Sequence, residues 1–436
     1  VLLLLACVAP VTEDFSVTTA GLDTVYVARW TTSEPLASHV VVSFDGEELS
    51  FDEQVAATDH EMFLYGVPAN TSATVDLVHD DAIVSTTAIV TGGLPGWVPD
   101  LNFAADVLGA SEPGFTVVPV VPESGGGVIA VDHAGRVVWS YPPEDEGEDL
   151  VVRARLSLDG EAILYNTPAE TSDSPGLIHR VSLRDATEEE VPVTGGHIDF
   201  VEYTQGGYLA LGWDIREIDG RKILADTVVE RAPDGAERVV WTAWDSFEPD
   251  LSVTWPSMYP ADPTVEDWTH INGMSYRPDQ DAIYLTMTFN SGVAKIDRAS
   301  GRLDWVVSDQ DGDFAMSEPD LVQMPHSAVR LEDGGLLVFN RGDIGHIDEG
   351  AAFVVELALD EGSWTAEPRW TYTSPDELIV AFLGSAQRLG NGNTLIAWSS
   401  AGEVSEVTPD GEVAWQIGSN IGAAFGFSTR VRQLGP

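Results

Sequence analysis

One short motif, returning along most of the chain, constrains the fold more than any other feature. A turn, a short apolar strand and a tryptophan recur as Gly135-Arg136-Val137-Val138-Trp139, Glu237-Arg238-Val239-Val240-Trp241, Gly301-Arg302-Leu303-Asp304-Trp305, Pro368-Arg369-Trp370 and Gly411-Glu412-Val413-Ala414-Trp415. The tryptophans lie 102, 64, 65 and 45 residues apart, and the first gap holds a copy without tryptophan, from Val181-Ser182-Leu183 to Val191. Six units of about 50 residues, each with room for four short strands, predict a six-bladed β-propeller, because such a unit buries its apolar face only by stacking on its neighbours. Helical periodicity is nearly absent, which excludes an α-solenoid, and a parallel β-helix would have shorter, more regular turns.

Ahead of the repeats, residues 14–91 alternate apolar and polar side chains in runs such as Thr24 to Trp30 and His39 to Phe44, separated by turn signals. This predicts a small fibronectin-III or Ig-like β-sandwich with Trp30 and Tyr65 in its core, a linker over 92–100, and the propeller from 101 to 436. Residues 1–13 predict a signal remnant and tether: Leu4-Leu5-Ala6-Cys7 resembles a bacterial lipobox, whose cysteine becomes the lipidated first residue. Attachment through Cys7 alone would make the protein a membrane-anchored lipoprotein outside the cytoplasm. The plainer alternative is an apolar first strand with a buried thiol.

Acidic residues number 71 against 21 basic ones, a net charge of −50. A polyanion would be repelled at every approach, which excludes nucleic acid as a partner. Because 44% of the chain is hydrophobic, the acidity coats a folded surface and does not signal disorder. A single cysteine excludes a disulfide scaffold. Only Lys222 and Lys295 are lysine, a bias that fits either a surface bathed in salt or a GC-rich genome. A closed propeller needs no partner copy, so a monomer is expected.

Three of the units open on a histidine followed by a strand and an acidic or glycine turn: His197, His270 and His326. Equivalent positions on the innermost strands of a propeller converge on its central channel, so the three imidazoles are expected to meet there, in one structural position. Convergent histidines suit a nucleophile with partners, or a zinc or iron site; each alone is also a common structural residue. No His-Glu-x-x-His motif completes a metal set, and Asp309 to Asp313 fails as a calcium loop because Phe314 stands where glycine is required. There is no Gly-x-Ser-x-Gly elbow.

The stretches Asp267-Trp268-Thr269-His270-Ile271-Asn272-Gly273-Met274, Pro325-His326-Ser327-Ala328 and Gly384-Ser385-Ala386-Gln387-Arg388-Leu389, in that order, resemble the bacterial arylsulfate sulfotransferases over roughly residues 100 to 430. The resemblance implies transfer of a sulfuryl group from a phenolic sulfate donor to a phenolic acceptor, with no nucleotide donor and no cofactor. It implies His326 as the nucleophile that carries the group as a sulfohistidine, His270 and Asn272 as ligands of the sulfate oxygens, and His197 as the completing residue of the pocket. One departure stands out: eighteen positions after His270, where the family carries a sulfate-clamping arginine, this chain has Thr288. Counting from the turn in each unit makes Arg341 the equivalent residue one blade on, and Arg341 is the expected replacement. The alternative is a propeller that has lost catalysis and binds an anionic or sulfated ligand or a protein.

Overall fold

In the computed structural model, described for residues 11–104, 109–121, 126–142, 151–249, 251, 254–256, 262–342, 350–419 and 424–435, nearly every regular element is a strand. Among the described residues the helical segments are Ala243–Ser246 and a 3-10 turn at Ser399–Ala401, and no helix is long and apolar enough to cross a membrane. Cys7 lies outside the described residues.

The first seven strands make two antiparallel sheets. One joins Thr12–Thr19, Tyr26–Leu36 and Ala57–Leu64; the other is ordered Glu47–Asp52, His39–Phe44, Ser72–His79, Ala82–Val90. Strand alternation turns Tyr26, Ala28 and Trp30 of the first sheet toward Val40, Val42, Val75 and Leu77 of the second, and this shared core holds the sheets face to face. Trp30 sits in that core as expected. Tyr65 does not: it packs with Val25, Val117, Val138 and Leu434 in a seam joining the N-terminal sheets to the rest of the chain. The seam also contains a backbone bond from Ala69 to Val137 (3.0 Å) and Arg136, which bridges Glu47 and Asp132 at 2.8 Å each.

From Leu101 onward the strands fall into six sheets that follow one another along the chain, with antiparallel main strands. The first sheet, built on Phe115–Val121, Gly127–Val131 and Val137–Tyr141, takes two further strands, Ala424–Phe425 and Thr429–Val431, from the other end of the chain. The sixth takes Leu101–Ala104 against Val413–Ser419. Strands exchanged at both ends tie the first and last sheets to the opposite ends of the chain, as expected of a propeller-like, all-β ring.

The recurring tryptophans lie on fourth strands, and in every case the residue before the tryptophan drops out of register: Val138, Val240, Asp304, Arg369 and Ala414. Glu188–Thr194, the fourth strand without tryptophan, pairs without a shift. A bulge bends and twists its strand, and here it lets Trp139, Trp241, Trp305 and Trp415 turn into the cores, all buried. Trp370 is half-buried and stacks on Tyr372 at 5.8 Å. At the other edge of the sheets, the first strands pack side by side: Gly196–Thr204 against Ile271–Arg277, and Ile271–Arg277 against Pro325–Arg330.

Candidate active site

His197 and His326 lie on two of those first strands and His270 immediately precedes the third, so the histidines hold three different register positions. Ile271 pairs with Met287 and Gly273 with Thr286, which leaves Asn272 as the bulged residue; Pro325 pairs with Asn340 and Ser327 with Phe339, which leaves His326. His326 is therefore the counterpart of Asn272, and His270 the counterpart of Met324, with φ of 45° and 43° respectively. His197 pairs with Leu211 just before a wider bulge over Ile198 and Asp199. The expectation of one shared position fails because His270 stands two residues ahead of the bulged position that His326 occupies, and His197 one residue ahead of a wider bulge, each bulge re-aiming a side chain. The equivalence of Thr288 and Arg341 holds: the Thr288 amide donates to His270 O (3.2 Å) and the Arg341 amide to Met324 O (3.4 Å).

Two donors converge on one ring nitrogen of His326. Asn272 Nδ2 donates to His326 Nε2 at 3.1 Å, and Arg341 Nη1 lies 3.5 Å from the same atom. A nitrogen facing donors must offer its lone pair, so the ring proton sits on Nδ1 and the lone pair on Nε2. Burial first, then the Arg341 guanidinium and His270, hold the His326 pKa well below the ordinary imidazole value. Asn272 is oriented in turn by Thr286, whose hydroxyl donates to Oδ1 at 3.3 Å, and Arg341 by its Nε bond to Val380 O at 3.2 Å. A cation placed on Nε2 would meet the Arg341 guanidinium at once, which disfavours metal ligation there.

His270 is held differently. Asp267 accepts both its amide (3.1 Å) and its ring Nδ1 (2.7 Å), and Phe289 stacks on the ring at 4.5 Å. Asp226 accepts the flanking Thr269 hydroxyl (2.6 Å) and the Ile271 amide (2.8 Å). Burial would lower the His270 pKa, but Asp267 outweighs it and raises the value. His197, stacked on Trp213 at 4.7 Å, brings Nε2 to 3.0 Å from Asp226 Oδ1 without hydrogen-bond geometry. Thus His326, Asn272 and Arg341 come together directly, and His197 joins His270 only through Asp226.

Thr288 is no vacancy. Its hydroxyl donates to Pro325 O at 2.9 Å, tying the strand before His326 to the backbone beside His270. Gly273 permits the close approach of those strands: a Cβ there would lie 2.3 Å from His326 O. On the other flank, the buried Asp199 takes both Arg153 nitrogens (2.7 and 2.6 Å) and the Met274 amide (2.8 Å), fixing the strand that carries Asn272.

The arylsulfotransferase family model matches residues 108–420. The chain belongs to the arylsulfotransferase family. It is a transferase, and its activity is sulfuryl transfer of the kind this family carries out. No curated protein matches the chain. Among solved structures, this arylsulfotransferase is similar to a periplasmic gluconolactonase from Pseudomonas aeruginosa (15% identity, 73% of this chain and 99% of that one, TM-score 0.44). It is also similar to a putative 6-phosphogluconolactonase from Bacteroides uniformis (12%, 72% and 100%, 0.43) and to the β-propeller domain of a Myceliophteria thermophila Cps50 protein (12%, 73% and 89%, 0.39).

Sequence reasoning missed Asp267, Asp226 and Asp199. Asp267 was open to detection, since it stands three residues before His270 in the same run. Asp226 sits in the middle of a strand with no turn or motif to mark it, and only the packing of neighbouring sheets brings it to Thr269 and Ile271.

Proposed function

We propose that the arylsulfotransferase acts through a sulfohistidine: His326 Nε2 attacks the sulfur of a phenolic sulfate, the phenolate leaves, and a phenolic acceptor then takes the group from His326. Asn272, Arg341 and His270 hold the sulfuryl oxygens, and His197 completes the pocket. The convergence of Asn272 and Arg341 on Nε2 carries this reading, because donors gathered at a nucleophile are placed to pass to the oxygens of an incoming sulfuryl group. The chemistry uses no cofactor or metal.

In this reading residues 101–436 are a six-bladed propeller joined by 92–100 to a fibronectin-III-like sandwich that ends at 91 and begins at Thr12, two residues before the expected boundary because Thr12 and Glu13 already pair with Thr32 and Thr31. The residues ahead of it are a tether lipidated at Cys7 that anchors a monomer outside the cytoplasm. The two three- and four-stranded sheets and the six that follow support the division. Incubation of the protein with an aryl sulfate and a phenol is expected to give phenol-dependent donor loss and a transient sulfuryl mass on the His326 peptide, both abolished in His326→Asn. Folded protein with neither turnover nor adduct would overturn the proposal. Thr288 in place of the family's arginine favours the second reading, a non-catalytic propeller that binds aryl sulfates, for which calorimetry would show binding without donor loss.

A further inference from the structure

His270 and His326, carried at adjoining first strands and close enough for His270 to help hold down the His326 pKa, are prepared in opposite ways. His326 offers a lone pair among donors, whereas His270 has Nδ1 engaged by a carboxylate and its amide held by the same group. An imidazole whose Nδ1 is fixed by a carboxylate has only Nε2 to present, and a proton on that atom is stabilised by the negative charge behind the ring. His270 is also a more accessible ring than His197: its side chain is 22% exposed, against 8% for His197. Phe289 covers one face of the ring, and Trp255 stacks behind Phe289 at 5.1 Å. The backbone of His270 is left-handed, a strained conformation for a residue with a Cβ, and Asp267 together with Asp226 on both neighbours holds it there.

We propose that Asp267 is the positioning residue that makes His270 the acid for the departing phenolate and the base for the incoming phenol. The proposal rests on the sulfohistidine reading. In the first half-reaction the His326 Nε2 lone pair forms the N–S bond, the S–O(aryl) bond breaks with its electron pair on the aryl oxygen, and that oxygen takes the proton from His270 Nε2. In the second, the acceptor hydroxyl returns a proton to His270 Nε2 as its oxygen bonds to sulfur, and the N–S pair goes back to His326. Among the described residues, the charged groups acting on His270 are Asp267 and Asp226, which favour its protonated form, and Arg341, which opposes it, with His326 on the adjoining strand. His197 is the poorer candidate for the proton, being buried with its Nε2 against Asp226.

The test uses Asp267→Asn and a series of aryl sulfates whose leaving phenols run from nitrophenol, which needs little protonation, to methylphenol, which needs much. Loss of kcat/KM on the order of 10²-fold for the methylphenyl donor, with a much smaller loss for the nitrophenyl donor, is expected of an impaired general acid. The basic limb of the kcat/KM against pH profile should also move to lower pH. An equal loss across the series, or none, would overturn the proposal and leave Asp267 a structural residue. His270→Gln, which keeps Asp267, should show the same dependence on the leaving group and serves if Asp267→Asn fails to fold. Detection of the His326 adduct from nitrophenyl sulfate separates the two ideas: its absence in the unaltered protein would remove the sulfohistidine reading and this one with it, whereas its presence with a flat series would remove this one alone.

Discussion

Thr288 occupies a place where the family carries positive charge, and its contacts suggest what a change there would do. The hydroxyl satisfies Pro325 O, the carbonyl just ahead of His326. Thr288→Val is expected to cost about 1–3 kcal/mol of stability, since it leaves that buried carbonyl without its donor, and Thr288→Ser to cost much less. Denaturant midpoints of the two variants check this. If Arg341 supplies the charge as proposed, Arg341→Ala should lower kcat on the order of 10²- to 10³-fold, the usual penalty for losing one donor aimed at transition-state oxygens. Unchanged turnover and donor affinity would show that Arg341 is not the clamp. The His326 environment also has a consequence for pH. The folded pKa is depressed, so between it and the ordinary imidazole value of about 6.5 the unfolded chain binds a proton that the native protein does not. Its contribution to stability is present above about 6.5 and lost as pH falls toward the folded value, and His326→Gln should remove that part of the slope in a pH series of unfolding midpoints.

Bulges decide which side chains meet. Asn272 and His326 reach one another because each is the skipped residue of its first strand, and Gly273 lets those strands close. Gly273→Ala would put a methyl against His326 O; the expected cost is about 1–3 kcal/mol of overpacking, with a fall in kcat that exceeds the loss of folded protein because Asn272 and His326 separate. Comparing kcat per folded molecule with the unfolding midpoint distinguishes this from plain destabilisation. The same feature explains what could be read from the sequence. Tryptophan spacing made the repeated all-β organisation legible, because a large apolar residue at a fixed place in a unit is a property of the unit. The partnership of His326 with Asn272 could not be counted out, because a bulge adds one residue without any residue type that marks it. Asp226 was hidden for another reason: its role comes from contact between sheets, and strand alternation says only that it faces one side.

Taken whole, the molecule combines a net charge of −50 with a site that, in the proposed function, receives an anion. At distance the net charge of −50 dominates and repels an aryl sulfate; close in, Arg341 and the protonated form of His270 attract it. Salt separates the two, because the screening length falls from about 10 Å at 0.1 M to about 3 Å at 1 M, shorter than the approach path but comparable to the contacts at His326. Raising salt over that range should therefore increase kcat/KM for the anionic donor and leave kcat/KM for a neutral phenolic acceptor nearly unchanged. A fall for the donor would mean that the site's own field governs encounter. The unfolding midpoint should rise over the same range if the carboxylates repel one another across the surface, for which so many acidic residues facing only 21 basic ones give good reason. If the midpoint stays flat while the donor rate rises, the acidic surface acts on encounter alone, and the scarcity of lysine is better explained by base composition than by adaptation to salt.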